Sequence, residues 1–236
     1  MMEELKNLRH DSVRRFLERW YGVGRVGDTV AFPEMSGIPR ELVEWHEAAA
    51  STGVDVTFQD YPIAPAELTR SGDGMIVFWV ENQNGYYWAF DPDLAEHQVF
   101  VKESASDVWR DTGVTLDRFL LHCTVHEAIV GAESKFSAVV PESALQGALA
   151  AFSALPFSPP ANDSPSARLL CSANALARVA PPPVGYAPEG QRSWMLTIAT
   201  VSGADVQEYR KDLESYNPTE VGRPQPIEVP IDDLPF

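Results

Sequence analysis

His122 and His126 stand four residues apart, with Glu127 beside the second. On a helix this spacing puts both imidazoles on one face, where they could share a zinc ion. The metalloprotease order, with a glutamate directly after the first histidine, is absent. The pair therefore reads as structural, with one histidine at a surface and one at a helix end. Gly22-Val23-Gly24-Arg25-Val26-Gly27 matches the GxGxxG pattern. A dinucleotide site needs a strand before those glycines and a helix after them. Here a helical pattern precedes and Asp28-Thr29-Val30-Ala31-Phe32-Pro33 follows, so the motif has the wrong surroundings. Asp91 and Asp93 are spaced as carboxylates that could do acid–base chemistry. They have no evident nucleophile nearby, and the chain contains neither a GxSxG elbow nor a phosphate-binding loop. They read as a solvated or partner-facing surface. None of these motifs makes a site, so no catalytic residue, metal or cofactor is expected. The order of a hairpin, a third strand and a helix over 74–121 points to a binding module and not to an enzyme.

The aromatic residues Trp79, Tyr86, Tyr87 and Trp88 could stack on single-stranded bases. A nucleic-acid reader sets such rings among lysines and arginines, and none occurs between Gly74 and Pro92. Alternate side chains of a strand face opposite ways. One set is then core. The other, Tyr86, Trp88 and Phe90 or their neighbours, is covered by a helix or by a partner.

Charge sharpens this reading. The 236 residues carry a formal net charge of −16. Residues 54–134 hold 14 acids and 4 bases, so the excess lies in the segment with the aromatic strands. Such a field repels nucleic acid and anionic membranes and attracts basic proteins. No apolar run approaches the roughly 18 residues of a membrane helix. The charged start, Met1-Met2-Glu3-Glu4-Leu5-Lys6, does not resemble a secretory signal. Cys123 and Cys171 match no zinc or redox spacing. A buried, reduced pair in the cytoplasm is the simplest expectation.

The elements that would position these residues follow from periodicity. Leu5, Leu8, Val13, Phe16, Leu17 and Trp20 form a helical stripe over 3–20. Pro39 opens a second helix, which Gly53 ends. Strands are expected at 54–59, 75–81, 85–90 and 98–102, with an Asn84-Gly85 turn in the hairpin and one helical turn near Pro65. A helix begins at Thr115, with Asp117 in its first turn, and runs to about Gly131. Beyond it lie a helix over 141–155, a linker over 156–166, strands at 168–179 and 194–201, and a helix over 204–213. A Pro-rich acidic tail follows from 217 to 236.

This order is similar to a known family. The carrying residues are Ile38-Pro39-x-x-Leu42, Phe78-Trp79-Val80-Glu81-Asn82, Trp88-Ala89-Phe90-Asp91-Pro92, Val99-x-Val101 and Leu116-x-x-Phe119-Leu120. Together they resemble the SUKH superfamily (Smi/Knr-type domain), shared by fungal cell-wall-synthesis regulators and many bacterial immunity proteins. The resemblance covers residues 1–134, with 135–216 as a smaller α/β C-terminal extension. It implies an α+β fold, with a mixed, mostly antiparallel sheet packed against helices. It also implies an immunity protein that binds a basic toxin domain of the nuclease or deaminase class. A cytoplasmic scaffold or regulatory adaptor on the same fold is the alternative. Occlusion by an acidic inhibitor would place Glu81, Asp91, Asp93 and Glu96 at the contact, with Tyr86 or Trp88 as the buried aromatic anchor.

Overall fold

The computed structural model describes residues 2–22, 37–94, 96–157, 166–187, 190–201, 206–214 and 219–220. The GxGxxG segment after Gly22, most of the 156–166 linker and nearly all of the acidic tail lie outside these residues. The class is α+β, with two antiparallel sheets and six helices among the described residues.

The first sheet is a meander in chain order: β1 (Tyr61–Pro62), β2 (Ile76–Val80), β3 (Tyr86–Phe90), β4 (Gln98–Glu103) and β5 (Arg110–Thr115). Every described pairing is antiparallel, where a mixed, mostly antiparallel sheet was expected. The β2–β3 turn spans Glu81–Gly85 and closes through Asn84, which takes a φ of 57°. Asparagine tolerates that left-handed conformation better than most side chains. A bulge in β2 has a larger effect. Val77 pairs with Ala89 and Trp79 with Trp88, which leaves Phe78 as the extra residue. The bulge lets two consecutive aromatics, Phe78 and Trp79, both enter the core.

Five helices or helical turns precede or pack on this sheet. α1 (Glu3–Lys6) and α2 (Ser12–Tyr21) replace the single helix expected over 3–20. Asn7, Asp11 and Ser12 lie at the break, and such side chains compete for backbone hydrogen bonds. Here Ser12 Oγ accepts the Arg9 N–H at 2.8 Å. Arg19 then donates to Glu4 at 2.6 Å, which folds α1 back onto α2. α3 (Arg40–Thr52) ends at Gly53 in the left-handed conformation, as its sequence indicates. Pro65–Glu67 forms one 3-10 turn. α4 (Leu116–Gly131) has 11 of its 16 residues buried, so it presents no solvent-facing side of any width.

Residues from 135 onward build a second sheet of strand order β11-β6-β10-β9-β8-β7. Its strands are β6 (Lys135–Pro141), β7 (Ser153–Ala154), β8 (Arg168–Cys171), β9 (Ala175–Ala180), β10 (Ser193–Thr200) and β11 (Thr219–Glu220). α5 (Glu142–Ala148) and α6 (Gln207–Glu214) complete the set. The helix expected over 141–155 shrinks to α5. The strand expected over 168–179 is a hairpin, turned at Ser172–Asn174.

Three cores stack through the molecule. The first joins the inner face of the first sheet to α3 and α4. The second joins α1, α2 and the opposite side of α4 to Leu169, Cys171, Leu176 and Ala199 of the second sheet. The third lies on the far face of that sheet, against α5 and α6. Residues 1–134 and 135–216 thus share a core across the boundary between them. The two cysteines are both buried, free thiols.

Phe119 of α4 is the centre of the first core. Its ring lies 5.4 Å from Phe78, 5.6 Å from Trp88 and 6.3 Å from Trp79, between ring centroids. Trp45 adds an edge contact to Trp79 at 5.4 Å. Phe119→Ala should lower stability by about 3–5 kcal/mol, as measured by urea unfolding.

Candidate functional site

The expected contact residues do not share one environment. Trp88 is only 1 % exposed and packs on Phe119, so it belongs to the core and is not a surface anchor. Tyr86 is half-buried on the same face, with its ring 6.3 Å from that of Trp88. A helix, α4, covers this aromatic set. Glu81 is committed to its own turn: its carboxylate accepts the N–H groups of Gly85 at 2.9 Å and Gln83 at 3.2 Å. Asp91 Oδ1 accepts the Asp93 N–H at 2.9 Å. Asp93 is exposed and forms an ion pair with Arg70. Glu96 is exposed.

The opposite face of the first sheet carries a clasp absent from the sequence reading. Trp109, just before β5, donates its indole N–H to Asp73 at 2.8 Å. Lys102 lies 4.6 Å from the centre of the same ring. Hydrogen bonds from Ser71 and Trp109 lead the effects that depress the Asp73 carboxyl, to about 2. Two loops from opposite ends of the chain's sheet segment are thereby joined.

These contacts occupy three of the segment's four bases; the fourth, Arg118, is exposed in the first turn of α4. Of the four bases in 54–134, Arg70 pairs with Asp93, Arg110 with Glu103, and Lys102 rests on Trp109. In the same segment Asp55, Glu67, Glu96, Asp107, Asp111 and Glu133 are exposed. The surface of this half is therefore acidic in three dimensions as well as in sequence.

A buried acidic group lies behind it. Glu127 on α4 is 1 % exposed. Its carboxylate accepts three consecutive backbone N–H groups, from Phe58 at 2.5 Å, Gln59 at 2.8 Å and Asp60 at 3.0 Å. Residues 54–59 therefore form an irregular segment, not the expected strand, because their donors turn to a side chain. Burial raises the Glu127 carboxyl, and the three N–H groups oppose that rise. Asp60 accepts the Asn82 N–H at 3.3 Å, and burial together with Glu127 lifts its carboxyl to about 6. Burial, then Glu127, also pushes the Tyr21 hydroxyl up. Cys123 is raised well above an ordinary thiol, first by burial, and so stays protonated. With both Glu127 oxygens on the backbone and the thiol neutral, the group holds structure and offers no nucleophile.

The histidine pair divides. His122 is buried, edge-on to Phe157 at 5.8 Å, and burial leads the effects that push it down to about 3. His126 is half-buried. No group of three or more His, Cys, Asp or Glu able to hold a metal ion occurs among the described residues. A cleft of about 620 Å³ opens elsewhere, beside the starts of α2, α3 and α4, with Arg14, Glu44, Trp45 and Arg118 in its lining. Its lining includes neither histidine nor Glu127. No helix among the described residues is long and apolar enough to cross a membrane.

Comparison with family models, with curated proteins and with solved structures finds no match to this chain.

Asp60 binds its proton more tightly in the folded chain than in the unfolded one, near 6 against 3.8. Its contribution to stability is thus fully present below about pH 4 and is lost as pH rises through 6. Asp60→Asn keeps an oxygen for the Asn82 N–H and removes that dependence. The variant should gain stability over the parent at pH 7.5 and not at pH 4, by urea titration at both values. Glu127→Gln should lose roughly 1–3 kcal/mol, because an amide cannot accept all three donors.

Proposed function

We propose that this chain is a non-enzymatic protein-binding module that acts in the cytoplasm, most simply an immunity protein that covers a basic toxin domain. The observation that carries the reading is the fate of the cations. Three of the four bases of residues 54–134, Arg70, Lys102 and Arg110, are engaged within the chain, while Asp55, Glu67, Glu96, Asp107, Asp111 and Glu133 of the same segment face outward. A nuclease or a nucleic-acid deaminase grips phosphate with a basic surface. An acidic protein that occupies this surface excludes the nucleic acid, and long-range attraction speeds the encounter. The resemblance of residues 1–134 to the SUKH superfamily supports the same reading from the sequence side.

Within this mechanism, Asp91, Asp93 and Glu96 are peripheral charges that steer. Peripheral charges affect association more than dissociation. The tagged protein, incubated with lysate of its own cells and eluted by rising salt, should release one dominant basic domain. That domain, once purified, should lose its activity on nucleic acid when the protein is added back. Asp91→Lys with Asp93→Lys should slow association about tenfold and flatten its salt dependence, measured by stopped flow. Release of many weakly held proteins, with no inhibition, would favour an adaptor instead.

A further inference from the structure

The chain from the end of α3 to the first residue of β1 exposes three large apolar side chains within eight residues. Val54 is 54 % exposed, Phe58 46 % and Tyr61 40 %. Isolated exposed apolar groups are ordinary. These are not ordinary, because the backbone beneath them is held from inside. A surface segment can give its N–H groups to water. This one gives three in succession to Glu127, a carboxylate whose burial is itself costly. The rings are fixed as well. The Phe58 ring lies against the last residue of α4, where a Cβ on Gly131 would stand 2.0 Å from it. The Tyr61 hydroxyl donates to Asn84 Oδ1 at 2.9 Å, across to the β2–β3 turn.

Buried acid, glycine cradle and turn contact all act on the same short segment. Their joint result is a pair of aromatic rings held rigid at the surface. Rigid aromatics are what interface centres use, since little ordering entropy is lost on contact. The surrounding charge is one-sided. From Glu41 to Val101 the one cation is Arg70, which is occupied by Asp93. Lys135, beyond α4, donates to the Val130 carbonyl. Asp55 within the segment and Glu133 past Gly131 are exposed acids.

We infer that Phe58 and Tyr61 form the apolar centre of the contact with a basic protein partner, a role expected from sequence for Tyr86 or Trp88. This rests on the basic-partner reading given above and adds its location. The test is a titration of the ¹⁵N-labelled protein with a hexapeptide of alternating arginine and tryptophan, followed by amide shifts. Shifts should concentrate at 54–61, 82–84 and 131–134. Phe58→Ser with Tyr61→Ser should weaken binding at least tenfold in a chain that keeps the dispersed amide spectrum of the folded parent. Gly131→Ala, which evicts the Phe58 ring while leaving both aromatics in the chain, should weaken it as well. Shifts confined to 71–74 and 91–111 would overturn the location and leave the basic-partner reading standing. Absence of any shift would overturn both.

Discussion

A helix with apolar side chains on every side has to be covered on every side, and α4 sets that demand for the whole molecule. Leu116, Phe119, Leu120 and Cys123 need one cover, and the aromatic face of the first sheet supplies it. Leu121, Val125, Ala128 and Ile129 need another, and α1, α2 and the second sheet supply that. Two of the buried polar groups on α4, Thr124 and Glu127, are tolerated because they find partners. Thr124 accepts the Trp45 indole N–H at 2.8 Å and donates to the Leu120 carbonyl at 2.6 Å. Glu127 takes three backbone donors. A polar group buried without such partners would cost several kcal/mol, on the order of the stability of a whole domain.

The elements legible in the sequence were those whose signal is local. The Asn84-Gly85 turn, the apolar runs beside it and the left-handed Gly53 cap depend on a few adjacent residues, and all appear where they were expected. What escaped depends on distant partners. β5 reads as Arg-Asp-Thr-Gly-Val-Thr, a sequence with little strand character, and pairs only because β4 lies beside it. β6 draws its order from β10, almost 60 residues later. Residues 54–59 have the apolar alternation of a strand, but Glu127 outcompetes any neighbouring strand for their N–H groups.

The same limit governs the candidate contact residues. Strict alternation along β2 puts Phe78 and Trp79 on opposite faces, and the bulge puts them together. The aromatic supply of β3 then turns inward to meet Phe119, so the rings that look most available from sequence are the least exposed. Phe58 and Tyr61 were hidden for the opposite reason. Their exposure follows from a carboxylate some 70 residues away and from a glycine whose role is space, not backbone conformation. The acidic balance, by contrast, was readable from counts alone. Structure adds that three of the four cations of residues 54–134 are already engaged.

The second core has a consequence for the order in which the chain can assemble during synthesis. Met2, Leu5, Phe16 and Trp20 leave the ribosome well before Leu169, Leu176 and Ala199, which cover them. At typical elongation rates that interval is roughly ten seconds or more. Once residues 116–131 have emerged, α4 has its aromatic side covered, while the part of its other side that the second sheet covers stays open to water. The nascent chain passes through a stage in which its central helix is half-roofed, and this is the interval in which chaperone contact and misassociation compete with folding.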